Sequence, residues 1–217
     1  MKRPIVISLI HCFAFVSLLA QTKSDSAVYH RGLALLNKAK STSEFLVSAA
    51  YFDSVSIANP THWLAFYYSG LANTLAAQNA DGIKNSDQML DKAQLKTEKA
   101  FELIPEEPEL HVLQALIYQV RLLSDPQNRA FSLAQKADAS LKRAFAADSS
   151  NPRAHFLQGN NVFYTPPMFK GGPKNALPVF LKAREKFRDY TLSLSFMPDW
   201  GKQQNEEMIK KCRESKL

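Results

Sequence analysis

An all-α fold of about four antiparallel helix pairs stacked in series, finished by a C-terminal capping helix, is predicted by three observations. First, one pattern occurs three times: AYFDSVSIANPTHWLAFYYSGLAN, EKAFELIPEEPELHVLQALIY and KRAFAADSSNPRAHFLQGNNVF each read as an amphipathic helix, a Pro-containing turn and a second helix. Second, small residues recur at one register, since Val55 to Gly70, Ala100 to Ala115 and Ala144 to Gly159 are each 15 residues apart. Third, Ala93 with Ala100, Ala137 with Ala144, and Ala176 with Ala183 are all seven apart. A small side chain lets helices approach closely, and a Pro between them suits the first turn of the next helix, where its missing N–H costs nothing. Self-similarity at such a period is the mark of a repeat array.

The chain opens with MKRPIVISLIHCFAFVSLLAQ: two basic residues, an apolar run, then Ala20 before polar Gln21. This is the layout of a secretory signal peptide. Residues 1–20 are therefore expected to be removed and 21–217 to form one domain, in the periplasm or secreted from a bacterial envelope. The alternative, a retained anchor, has only the 17 residues from Pro4 to Ala20 with which to cross a bilayer. Cys12 follows His11 inside the apolar run, so lipid attachment is not expected. Beyond the signal only Cys212 remains, so stability must come from packing without an internal disulfide. No apolar segment after Ala20 is long enough to span a membrane.

Helix pairs are predicted at about 25–39 with 42–58, 61–78 with 86–103, 107–123 with 128–147, and 153–164 with 174–188, followed by a helix near 199–214. NADGIKN (79–85) and SDPQN (124–128) supply the turns inside the second and third pairs. In the fourth pair, Thr165 before Pro166 is pushed out of helical conformation, Gly171-Gly172 permits positive φ, and Pro173 can open the next helix. Met168 and Phe169 of this loop are expected to pack on neighbouring helices. FRDYTLSLSFMPDWG has few helix signals and is expected to lie over the end of the stack, with Phe196, Trp200 and Met208 covering its apolar face.

These small-residue positions resemble those of the tetratricopeptide-repeat superfamily, whose helix pairs carry Gly or Ala in the first helix and two Ala flanking a bulky residue in the second. The likeness covers Ser26 to Ala183 and implies a right-handed α-solenoid with a concave binding face. It departs in length: Gly70 to Ala93 is 23 residues and Ala115 to Ala137 is 22, which lengthens the usual repeat of about 34 residues by roughly ten. The insertions are helix-compatible, so the two central pairs should stand about one to two turns taller than their neighbours. The Pro-and-GG connection is also similar to that of helical-repeat envelope proteins, including those associated with TRAP-type solute uptake.

Composition excludes several classes of function. Although the net charge is +7 and the pI about 9.4, Lys and Arg alternate with Glu and Asp, so no nucleic-acid-binding block is present. KGGPKN places two Gly and two Lys before a helix, but it lacks the spacing of a phosphate-binding P-loop. His30, His62, His111 and His155 show no metal-ligand spacing, and His111 and His155 occupy equivalent repeat positions, which reads as structural. No catalytic constellation is found, no cofactor is implied, and an enzyme is not expected.

The inner wall carries the functional expectation. With Gly32, Gly70, Ala115 and Gly159 equivalent, the wall takes Tyr29, Leu33 and Leu36 from the first pair, and Leu64, Tyr67, Leu71 and Leu75 from the second. The third gives Val112, Leu116 and Gln119, and the fourth Arg153, Phe156, Asn160, Phe163 and Tyr164. The candidate binding residues are Tyr29, Tyr67, Leu71, Leu116, Gln119, Phe156, Asn160, Phe163, Tyr164 and the loop's Phe169. Related domains that clamp acidic peptide C-termini need Lys, Arg and Asn here, whereas this wall is apolar and aromatic. It is either an open groove holding a protein segment or an apolar small molecule, or a wall covered by Phe169 or the C-terminal segment. The first gives a non-enzymatic binding module in solute uptake or envelope assembly; the second gives a structural scaffold that oligomerises through its outer faces.

Overall fold

The computed structural model describes residues 26–215, so the signal-peptide reading of residues 1–20 lies outside the described residues. Nine helices and no strand occur among the described residues: α1 (26–38), α2 (Thr42–Ala58), α3 (Trp63–Gln78), α4 (Ile83–Leu103), α5 (Pro108–Ser124), α6 (Pro126–Ala147), α7 (Pro152–Tyr164), α8 (Pro173–Asp189) and α9 (Lys202–Glu214). They pack as sequential antiparallel pairs. The first helices α3, α5 and α7 touch one another along the inner wall, and α9 lies on α8. None of the described helices is long and apolar enough to cross a membrane.

The starts follow from local chemistry. Ser41 caps α2 in a capping box with Glu44, and Pro108, Pro126, Pro152 and Pro173 each stand in the first turn of a helix. Asn151 caps α7 by accepting from the N–H groups of Arg153 and Ala154. Two turns are tighter than their sequences suggest. Gly82, at φ +80°, lets α4 begin at Ile83, inside the stretch expected to be turn. Asp125 alone separates α5 from α6. The added length falls on the second helices: α4 and α6 have 21 and 22 residues against 17 in α2 and α8, about one turn more.

The alanines that define the repeat are all fully buried: Ala93, Ala100, Ala137, Ala144, Ala176 and Ala183. At Gly159 a Cβ would overlap the Phe180 ring, itself completely buried, so the α7–α8 crossing is closer than any larger residue permits. His111 lies against Phe101 and His155 against Phe145, with ring centroids 4.9 and 4.7 Å apart. Their equivalent settings agree with a structural role, and burial holds both imidazole pKa values below the usual value. At the far ends of the central pairs, Asp87 bonds Arg129 at 2.7 Å and Arg121 bonds Asp91 at 2.7 Å, tying α4, α5 and α6 together.

Candidate functional site

After α8 the chain crosses the inner wall from the fourth pair to the first and returns. Tyr190 lies over the Arg153 guanidinium, 4.6 Å from its carbon to the ring centroid. Phe196 stacks on Tyr29 at 5.0 Å, its carbonyl accepts from the Tyr68 hydroxyl at 2.7 Å, and Ser195 Oγ lies 3.0 Å from His30 Nε2. Trp200 then donates its indole N–H to the Tyr67 hydroxyl at 2.8 Å. The expectation that this segment lies over the end of the stack is thus corrected. Residues 190–201 form a strap across the wall, because Phe196 stacks on the Tyr29 ring and accepts from the Tyr68 hydroxyl, and Trp200 bonds the Tyr67 hydroxyl. Met208 does pack inside, on α9.

Beneath the strap lies a buried ion pair. Glu109 and Arg153 are 3% and 0% exposed, joined by two hydrogen bonds of 2.8 and 2.7 Å, and Asn151 donates a third to the same carboxylate. Burial alone would lower the Arg153 pKa, but the Glu109 carboxylate raises it above its ordinary value. Tyr67 and Tyr68 sit nearby, 0% and 1% exposed, and burial together with the Glu109 charge pushes both phenol pKa values well above normal. In the unfolded chain these phenols ionise near pH 10. The folded state keeps their protons, so stability is intact below about pH 10 and is lost above it, by up to about 1.4 kcal/mol per pH unit for each tyrosine. Alkaline titration followed by phenolate absorbance and circular dichroism should show these two rings ionising only as the helices melt.

The strap divides the predicted wall. Tyr29, Tyr67 and Phe156 are buried under or beside it; Gly201 approaches Phe156 and Arg153. Leu116 is buried, and Gln119 is spent inside the fold, donating to the Leu157 carbonyl and to Asn161 Oδ1, both at 2.8 Å. The neighbouring Asn161 is thus used inside the fold, whereas the predicted binding residue Asn160 is half-buried. Phe163 is half-buried against Tyr164, which is 53% exposed. Met168 and Phe169, expected to pack on neighbouring helices, are instead 83% and 69% exposed. The reason is the short 3-10 turn Pro167–Phe169, whose own backbone bonds fold the loop back so that these side chains point outward. Gly171 makes this possible, because a Cβ there would overlap the Thr165 carbonyl.

What remains open is a cleft of about 980 Å³ between α1, α3 and residues 195–206. Its apolar lining comes from Leu33, Leu71 and Leu75 on α1 and α3, Phe45 of α2, and Met197 and Trp200 of the strap. Its polar lining includes His30, Asn37, Asp199, Lys202, Gln203 and Glu206. Of the predicted site residues, Leu71 lines this cleft; Leu33, Leu36 and Leu75 of the predicted wall join it. His30, Met197 and Lys202 were not anticipated, since their approach depends on the path of the strap. No group of three or more His, Cys, Asp or Glu side chains able to hold a metal ion occurs among the described residues.

The described helices thus pack in a helical repeat-like array, with a cleft of mixed apolar and polar lining between the first helices and the strap. No family model matches the chain, and no curated protein does. Among solved structures the chain is similar to the HusA haemophore from Porphyromonas gingivalis, at a TM-score of 0.78 and 28% identity, covering 88% of this chain and 94% of that one. These comparisons lend no support to the resemblance to proteins of TRAP-type uptake.

Proposed function

We propose that this protein is an exported, non-enzymatic carrier of a planar, largely apolar ligand of the haem and porphyrin class, held in the cleft between α1, α3 and the strap. The cleft carries this reading: its volume lies within the roughly 300–1,000 Å³ range of small-molecule sites, and its lining combines aliphatic and aromatic side chains with polar and charged ones. A tetrapyrrole has matching parts. Its ring would be buried against Leu33, Leu71, Leu75 and Trp200, while Lys202 in the lining would pair with carboxylate side groups and His30 would offer an imidazole. The similarity to a haemophore over nearly the full length of both chains supports the same ligand class. Because the strap already occupies the wall around Tyr29 and Tyr67, a peptide laid along the whole groove is disfavoured.

Titrating the purified protein with haemin, and following the Soret band, tests the proposal. Leu75 is half-buried at the cleft and Ala34 is exposed beside it. Leu75→Glu, which forces a carboxylate against the ring, and Ala34→Trp, which fills the space, should each weaken binding by about tenfold or more while leaving the helical circular dichroism unchanged. Absence of a Soret change with the unmodified protein, or equal affinity in both variants, overturns the assignment.

A further inference from the structure

We propose that the end of the stack bearing the α3–α4, α5–α6 and α7–α8 turns docks on an anionic lipid surface, with the loop 165–172 as its inserting tip. Five exposed large apolar side chains lie there: Ile83 is 45% exposed, Leu123 42%, Tyr164 53%, Met168 83% and Phe169 69%. The tip is built to present them. Phe169 and Lys170 donate their backbone N–H groups to the carbonyls of Pro166 and Pro167, both at 2.9 Å, and Gly172 donates to the Val162 carbonyl at 2.9 Å. The N–H groups of Phe169, Lys170 and Gly172 are thereby satisfied within the loop and α7, while the side chains of Met168, Phe169 and Lys170 face outward.

Charge selects the partner. No Asp or Glu occurs between Asp148 and Glu185, a stretch that contains Lys170 and Lys174. Lys38, Lys84, Lys170 and Lys174 at this end are exposed and make no ion pair among the described residues. The acids there are mostly engaged: Glu44 caps α2, Asp87 and Asp91 hold Arg129 and Arg121, and Asp125 accepts from Asn128, leaving Asp81. A convex row of turns carrying Phe, Met, Tyr and aliphatic side chains among free lysines matches the boundary between acyl chains and anionic headgroups. Ala39 and Leu75, which line the cleft, lie toward this same end, so docking would turn the cleft mouth to the lipid.

Sedimentation with vesicles of phosphatidylcholine, with and without phosphatidylglycerol, provides the test. The unmodified protein should bind the phosphatidylglycerol vesicles and be released by high salt. Lys170→Gln with Lys174→Gln should reduce that binding about thirtyfold, from about 1 kcal/mol per lysine at such a surface. Met168→Ser with Phe169→Ser should reduce it about tenfold or more. All four side chains are exposed, so the fold should be unaffected. Both double variants should also bind haemin as the parent does, which keeps this test separate from that of the cleft. Failure of the parent to bind vesicles, unchanged binding in either double variant, or loss in the Ser pair of a captured protein partner without any vesicle binding by the parent overturns the proposal.

Discussion

Replacing Arg153 with Met is expected to lower the unfolding free energy by about 3–5 kcal/mol, since it leaves the Glu109 carboxylate buried without its counter-charge. Glu109 is 3% exposed and would keep only the Asn151 amide as a side-chain donor. In a domain of this size each kcal/mol corresponds to roughly 2–4 °C in melting temperature, so a fall of about 6–20 °C should be visible by circular dichroism. Combining Arg153→Met with Glu109→Gln removes both charges and should recover much of the loss. A single variant that melts within about 2 °C of the parent contradicts this account of the pair.

Trp200→Ala should cost about 2–4 kcal/mol, somewhat below the usual range for a large aromatic in a core, because the indole is half-buried. The change removes the N–H that Tyr67 accepts, and with it the contact holding the strap's return limb to α3. Trp200→Phe should restore most of the packing but not the hydrogen bond, and so fall between the two. The strap should also become a site of proteolytic nicking, with new termini within residues 190–201. Retention of full protease resistance in Trp200→Ala would show that Phe196 and Tyr190 anchor the strap without it.

The helices were legible because their signals are local and repeated. Ala93 with Ala100 and Ala137 with Ala144 announce buried faces, and prolines mark the first turns of α5, α6, α7 and α8. The strap was legible only in outline, as the alternative that the C-terminal segment covers the wall: residues 190–201 form no regular element, and their course is set by partners as distant as Tyr29 and Tyr68. Arg153 was placed on the wall as a single residue, without its partner. The clue was present, since Glu109 and Arg153 are 44 residues apart, the same step as Ala115 to Gly159, and opposite charges at one register of adjacent repeats face each other. The candidate site was legible as a wall and only partly as a cleft. Leu71 and Leu75 follow from helical register, but Met197 and Lys202 reach the cleft only through the strap.

The strap also changes how the molecule should come apart. In an open array each repeat touches only its neighbours, so the ends can fray while the middle stays folded, and stability is a sum along a line. Here Phe196 on Tyr29 and Ser195 beside His30 bind the last segment to the first helix, which turns the line into a loop with no free terminal repeat. The first pair cannot melt without releasing the strap, and the strap cannot leave without exposing Tyr67, Tyr68 and the Glu109–Arg153 pair. Denaturation should therefore be a single cooperative event, and refolding should wait on closure of this long-range contact.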